Sequence, residues 1–413
     1  MVTDKKKYAT QVVGCRVNQY ELQSMRSQLE AHGYTAAKEG EEADLCVVNT
    51  CAVTENAESS SRHAVRLLLN RNPKAKILVT GCLAQKDPSS LKSISSSIAI
   101  LPNTEKDKFF ETLFPDVPPP SPFITTFEGH TRAFIKIQDG CTCFCSYCIV
   151  PFLRGASRSR RKDEILEEIR GLLGSSYKEI VITGVNVGDF PQLTDLLVDI
   201  DALPGIERLR LSSINPNDID DRFIEVASSL KSFCPSLHLV LQSGSNAVLK
   251  KMRRKYTQEM YLDIVRRLRD KRSDFAFSTD VIVGFPGESE ADLEQTAEVI
   301  KSVNFSKVHL FPYSSREGTL AARFQEQVPI EVLKIRKLKI AELADLSAQR
   351  VRQDFVGKRV PILTESREEG QWLFGLTPHN LVVKIPKRML SGNELVEVKI
   401  TGHIDEELIG ELV

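Results

Sequence analysis

No stretch of this 413-residue chain approaches the ~18 consecutive apolar residues of a membrane span. The first residues, MVTDKKKYAT, carry lysines with no apolar region behind them, so a secretory leader is not expected. The reading is a cytoplasmic protein without membrane contact. An excess of charge is also missing, because 55 Lys and Arg face 55 Asp and Glu. No global field steers the chain to nucleic acid, and any such contact must come from local patches. The odd count of nine cysteines, with no secretion signal, argues against a disulfide framework and for metal or catalytic use.

Composition and rhythm divide the chain. In residues 1–113, apolar runs (YATQVVG, ADLCVVN, AKILVTG) alternate with helical patterns (YELQSMRSQLEAHG, AESSSRHAVRLLLNR), which predicts a small parallel α/β domain. Residues 114–126 contain PDVPPPSP, five prolines in eight residues, and read as an extended linker. Residues 127–353 hold six candidate strands, AFIKIQ, EIVITG, RLRLSS, LHLVLQS, FSTDVIVGF and KVHLFPY, separated largely by helical stretches such as DEILEEIRGLL. Six consecutive βα units predict a partial (β/α)6 barrel of the TIM type. From 354 to 413 the period changes to alternation, as in VEVKITG, and predicts a small antiparallel β-barrel.

Cys15, Cys51 and Cys82 each stand just past the C-terminal end of an expected parallel strand, the edge where open α/β sheets bind ligands. Three thiols distant in sequence converge there, and they suit an iron–sulfur cluster or an open zinc site. A second group is dense: DGCTCFCSYC has four cysteines in eight residues. Cys141, Cys145 and Cys148 give C-x3-C-x2-C at the end of the first barrel strand, where a βα barrel places its chemistry. Such a loop can hold three irons of a cubane, or serve as a zinc knuckle, although His130 is the only histidine nearby. Cys46, in DLCVVNT, and Cys234, before a proline, read as buried small hydrophobes.

The stretch GCTCFCSYCIVPFLRG closely resembles the signature of radical S-adenosylmethionine (SAM) enzymes, with Tyr147 as the aromatic before the last cysteine. GCRVNQYE, NTCAVTENAE, TGCLAQ, LQSGSNAVLKKMRRKYT and TDVIVGFPGE resemble, in order, the motifs of the methylthiotransferase family, and the last block resembles its RNA-binding TRAM domain. One departure is Asn215 in SSINP, where that family commonly carries an acidic residue.

The resemblance implies two 4Fe–4S clusters. One would be held by Cys141, Cys145 and Cys148, with an open iron that binds SAM ahead of its reductive cleavage to methionine and a 5′-deoxyadenosyl radical. The other, auxiliary, would be held by Cys15, Cys51 and Cys82, and would carry the sulfur that is methylated and transferred. Cys143 is then the spare thiol. Tyr147 and the strand-end residues Thr183, Gly184, Ser212, Ser213, Gln242 and Asp280 are the candidates for the SAM pocket. Within the family one branch modifies threonylcarbamoyladenosine at position 37 of tRNA, in the anticodon loop, another isopentenylated adenosine in tRNA, and a third an aspartate of a ribosomal protein. Asn18, Gln19, Tyr20 and Glu21 most resemble the first branch. An electron donor such as flavodoxin or ferredoxin and a sulfur donor are implied partners.

Local charge supports RNA. Arg154, Arg158, Arg160, Arg161 and Lys162 follow the cysteine loop, and KKMRRK, which contains Lys250, Arg253 and Arg254, has five cations in six residues. Either run could track phosphates. A different class of function, a non-catalytic RNA-binding protein stabilised by zinc, uses the same cysteines structurally.

Overall fold

The computed structural model describes residues 6–127, 129–387 and 389–413. It divides into two compact units. The first comprises Met1–Glu128, Gln138–Phe144 and Cys148–Arg158; the second comprises Gly129–Ile137, Cys145–Tyr147 and Ser159–Val413.

In the first unit the apolar runs form a five-stranded sheet. Its strands are β1 (Lys7–Val12), β2 (Thr35–Ala36), β3 (Leu45–Thr50), β4 (Lys76–Gly81) and β5 (Ile98–Ile100). Their order is β2-β1-β3-β4-β5, with every pair parallel. All six residues of β3 are buried, as expected of a central strand covered on both faces. Period two then sorts the side chains. Cys46, Val48, Ile77 and Val79 join Val65 and Leu68 of the helix Glu55–Arg71, while Leu45, Val47 and Leu78 join Leu22, Met25 and Leu29 of the helix Arg16–Ala31. The longer helix is capped by Thr54, whose hydroxyl accepts from Ala57 N. The proline-rich segment forms neither helix nor strand.

All six strands expected in the central block are present. They are β6 (Arg132–Asp139), β8 (Glu179–Gly184), β9 and β10 (Arg208–Leu211 and Ser213–Ile214, interrupted at Ser212), β11 (Ser236–Leu239), β12 (Ala276–Val283) and β13 (Lys307–Pro312), with a two-residue β7 (Arg158–Ser159) at one edge. They form two four-stranded sheets, β7-β6-β8-β9 and β10-β11-β12-β13. Helices such as Lys162–Gly174, Gln258–Lys271 and Glu290–Val303 connect them. This is an open, partial βα barrel.

The C-terminal block forms a closed barrel. Its strands are β14 (Arg359–Glu369), β15 (Trp372–Leu376), β16 (Val382–Pro386), β17 (Leu395–Ile404) and β18 (Glu407–Leu412), in the order β14-β15-β16-β18-β17. All its pairs are antiparallel except β16 with β18. Arginines of the neighbouring β9 hold it: Arg208 donates to Leu376 O (2.7 Å) and Pro361 O (2.9 Å), and Arg210 to Pro378 O (3.0 Å) and Thr377 O (3.3 Å). Glu179, fully buried, accepts from Arg210 Nε at 2.9 Å. Among the described residues no helix is long and apolar enough to cross a membrane.

Candidate active site

The three dispersed thiols do reach one edge of the first sheet. Cys15 is the N-cap of the helix Arg16–Ala31, Cys51 follows β3 directly, and Cys82 opens the helix Cys82–Lys86 after β4. Glycine makes the approach possible. A Cβ on Gly14, whose φ is +113°, would lie 2.9 Å from Cys51 Cβ and 3.1 Å from its Sγ. At Gly81 (φ +98°) a Cβ would meet Thr50 O at 2.3 Å. Cys51 and Cys82 are buried and Cys15 is exposed. Burial pushes the Cys51 thiol up to about 11, and the charges of Cys82 and Cys15 add to that rise while Arg154 opposes it. Burial likewise raises Cys82, against Arg154 and Lys106.

Beneath these thiols lies a buried polar network within the same unit. Arg154, 2% exposed, donates to Asn18 Oδ1 (2.5 Å), Asp139 Oδ1 (2.8 Å) and Glu21 Oε1 (3.0 Å). Lys106, 8% exposed, donates to Glu21 Oε2 (2.5 Å) and Asn49 Oδ1 (3.3 Å). Asn18 Nδ2 donates to Val13 O (2.7 Å) and Thr50 O (3.1 Å), tying the turn of Cys15 to the end of β3. Thr50 Oγ1 donates to Thr80 O (2.6 Å) and accepts from Ala84 N (3.3 Å), which ties β3 to the turn of Cys82.

Among the described residues no group of three or more His, Cys, Asp or Glu side chains is arranged to hold one metal ion. A sulfur-only donor set, two of its three thiols buried, is of the kind that iron–sulfur clusters take.

The dense cysteine group sits on the loop after β6. In the first unit, Cys141 N donates to Gly155 O (3.1 Å), and Gln138 Nε2 donates to Gly140 O (2.7 Å) and Ser157 Oγ (2.8 Å). Cys143 N approaches Cys141 Sγ at 3.5 Å. In the second unit, Ser146 clamps Cys145 and Tyr147: its N and Oγ donate to Met252 O (3.0 Å) and Lys251 O (2.8 Å), and its O accepts from Ala321 N (2.7 Å). Arg254 Nη1 donates to Cys145 Sγ at 3.1 Å, its Nε to Tyr256 Oη at 3.1 Å, and its Nη2 to Asn215 Oδ1. Tyr147 meets Phe285 edge-on, ring centroids 6.4 Å apart.

Most of the expected SAM-pocket residues cap strands of the second unit. Thr183 is buried and Gly184 half-buried at the end of β8, Ser212 is buried between β9 and β10, and Ser213 is exposed. Gln242 N donates to Asp280 O (2.8 Å), and Asp280 lies 3.3 Å from His238 Nε2. Ser212 Oγ and Gln242 Oε1 are buried without a hydrogen-bond partner, and Gln242 holds φ at +62°, a conformation that costs a non-glycine residue energy. Polar atoms left unsatisfied at strand ends fit a polar ligand such as SAM.

Three arginines read as phosphate contacts are engaged within the protein, Arg154 buried and Arg160 and Arg254 half-buried. Arg154 is interior, because its fork satisfies Glu21, Asp139 and Asn18. Arg160 ties Lys136 O (3.0 Å) to Glu168 (2.7 Å), and Arg254 turns in to Cys145. Lys250 and Arg253 are exposed; Arg158, half-exposed, pairs with Asp139 at 3.2 Å. Sequence reasoning missed Lys106 and the roles of Asn18 and Glu21. The latter two, three residues apart in a helix, share one face, which was a usable signal. Lys106 offered none. Asn215 is explained: as an amide it accepts from Arg254 and donates to Asn186 Oδ1 (2.8 Å) and Asp218 Oδ2 (3.2 Å), which a carboxylate could not do.

Residues 135–300 match the family described as the Radical SAM superfamily, and residues 7–101 match one described as Uncharacterized protein family UPF0004. Among solved structures, the radical S-adenosylmethionine methyltransferase TsrM from Kitasatospora setae superposes with a TM-score of 0.58 at 14% identity, over 75% of each chain, a likeness of fold. Fold and cysteine loop together define a radical SAM enzyme. The threonylcarbamoyladenosine tRNA methylthiotransferase MtaB of Chlamydia pneumoniae is 46% identical over 408 residues, 97% of each chain. Its namesake in Thermotoga maritima is 38% identical over 85% of each. A tRNA-2-methylthio-N(6)-dimethylallyladenosine synthase of Staphylococcus haemolyticus is 36% identical over 94% of this chain and 81% of that one. The chain belongs to the radical SAM methylthiotransferase family.

Proposed function

We propose that the enzyme converts the C2–H of N6-threonylcarbamoyladenosine at position 37 of tRNA to C2–SCH3, using two 4Fe–4S clusters and two SAM molecules. The observation that carries the two-cluster reading is the convergence of Cys15, Cys51 and Cys82 on one sheet edge, each within electrostatic reach of another, in addition to the C-x3-C-x2-C loop. The substrate rests on relatives named for that nucleoside at up to 46% identity over nearly the whole chain.

When bound, the clusters and SAM supply the electron, the radical and the sulfur. The chain's own part is placement. Cys141, Cys145 and Cys148 would hold the SAM-binding cluster, with Arg254 donating to the sulfur of Cys145 and Ser146 fixing that residue and Tyr147. Thr183, Gly184, Ser212, Ser213, Gln242 and Asp280 would frame SAM, the unsatisfied Ser212 Oγ and Gln242 Oε1 taking its polar groups. Cys15, Cys51 and Cys82 would hold the auxiliary cluster. Exposed Lys250 and Arg253, with Arg158, would contact phosphates of the anticodon loop. The working parts are residues 1–113, the linker 114–126, the radical core 127–353 and the RNA-binding barrel 354–413, in a cytoplasmic enzyme served by a flavodoxin or ferredoxin and by a sulfur donor.

Nucleoside mass spectrometry of tRNA from a deletion strain tests this. Loss of the methylthio form of threonylcarbamoyladenosine, restored by the gene, supports it. Loss of methylthio-isopentenyladenosine instead, or an unchanged tRNA with an altered ribosomal-protein aspartate, would move the enzyme to another branch. A colourless zinc protein from anaerobic purification would leave only the structural RNA-binding reading.

A further inference from the structure

Arg154 and Lys106 form a buried cation pair that neither the fold nor SAM binding explains. Replacing a buried ion network with apolar groups of similar volume is often neutral or stabilising, so stability alone is weak grounds for keeping one. Here two cations lie under the dispersed thiols with Glu21 between them, bonded to both at 3.0 and 2.5 Å. Asp139 takes the remaining side of Arg154 at 2.8 Å and pairs on its other oxygen with Arg158 at 3.2 Å. With Arg158 counted, the cations exceed the carboxylates by one.

Asn18 Oδ1 accepts both from Arg154 Nη2 at 2.5 Å and from Cys15 Sγ at 4.0 Å, which brings the guanidinium beside the first thiol. Three thiolates around an oxidised cubane core leave about one net negative charge, which that excess would offset. The same groups set geometry. Arg154 holds Asn18 and Glu21 of the helix that Cys15 caps, and Lys106 holds Asn49, two residues before Cys51.

We infer that Arg154 and Lys106 are positioning residues of the Cys15–Cys51–Cys82 centre, a cation pair that balances its charge and sets its reduction potential, with Glu21 as the opposing carboxylate. This rests on the two-cluster reading above. Charge near an iron–sulfur cluster is one of the established determinants of its potential. Removing a cation makes the cluster harder to reduce, and removing the carboxylate makes it easier.

The test uses the full chain carrying Cys141→Ala, Cys145→Ala and Cys148→Ala, so that iron and its electron paramagnetic resonance report on the other centre alone. That background should hold about four irons per chain. Within it, Arg154→Met and Lys106→Met should each lower the midpoint potential, and Glu21→Gln should raise it. The oxidised-to-reduced ratio at fixed potential should change at least tenfold in each, about 59 mV for one electron. Arg154→Lys should keep the potential near the parent value while losing iron, because the charge remains and the three-way fork does not. Opposite signs are the signature, since a merely structural lesion would not reverse between a cation and a carboxylate. If Arg154→Met fails to fold, Lys106→Met and Glu21→Gln carry the same comparison. Unmoved potentials in variants that hold iron overturn the inference and leave the two-cluster reading standing. A background without iron overturns both.

Discussion

Arg254 Nη1 donates to Cys145 Sγ at 3.1 Å, and the same guanidinium is shared with Tyr256 Oη and Asn215 Oδ1. Arg253, one residue earlier, is exposed with φ at +60°. Two adjacent arginines of one basic run therefore have separate tasks. Arg254→Gln should cut 5′-deoxyadenosine formation without RNA at least about tenfold, since a hydrogen bond to a charged group contributes about 1.5–3 kcal/mol. It should leave the salt dependence of tRNA binding alone. Arg253→Gln should do the reverse, lowering the slope of log K against log salt by roughly 0.7–0.9 per lost phosphate contact. Filter binding at several salt concentrations, alongside SAM cleavage, checks both.

Cys143 occupies an x position of the C-x3-C-x2-C loop and is not among its proposed ligands. Cys143→Ala should keep iron and SAM cleavage, whereas Cys141→Ala, Cys145→Ala or Cys148→Ala should each abolish deoxyadenosine formation. Loss of the cluster in Cys143→Ala would reassign the ligands.

The dispersed thiols belong to the sheet of the first unit, whereas the strands proposed to frame SAM belong to the second. With Cys15, Cys51 and Cys82 all replaced by alanine, iron should fall by about half if each site holds one cubane. SAM should still be cleaved to methionine and 5′-deoxyadenosine, but no methylthio group should be transferred. Iron, deoxyadenosine and modified nucleoside from one preparation decide it, and continued methylthiolation would refute the two-cluster mechanism.

Glu288, buried in the turn after β12, accepts from Gly284 N at 2.8 Å and from Arg336 Nη1 at 3.2 Å. Burial pushes its carboxyl up to about 7 against those partners. A raised folded value means its contribution is complete below the unfolded carboxylate range near 4.3 and is lost as pH rises toward 7. The loss is about 4 kcal/mol at most, at about 1.4 kcal/mol per pH unit. Glu288→Gln should flatten thermal stability between pH 5 and about 7, as read by melting temperature against pH. An unchanged slope would show that Glu288 does not titrate there.

Much of the scaffold was legible because burial on both faces leaves unbroken apolar runs: EIVITG became Glu179–Gly184 and AKILVTG became Lys76–Gly81. LHLVLQS ran shorter than its pattern, Ser236–Leu239, because Gln242 turns to a positive φ and keeps only an isolated bridge to Val281. Thr35–Ala36 and Ile98–Ile100 are too short to carry a period. The thiol edge was legible from strand ends. What lay beneath it was not, since Arg154 resembles its basic neighbours until Glu21, 133 residues away, is known to be its partner.

The closed C-terminal barrel is held by arginine forks that grip carbonyl oxygens of residues 361, 376, 377 and 378. Every amino acid supplies that oxygen, so these four contacts depend on the path of the barrel's chain, unlike the side-chain pairs His379 with Asp274 and Arg132 with Glu365. At these four oxygens the barrel's contribution does not depend on which side chain the residue carries, while that of Arg208 and Arg210 does. At these contacts the attachment is asymmetric in evolutionary freedom: one side must keep its course, and the other must keep its residues.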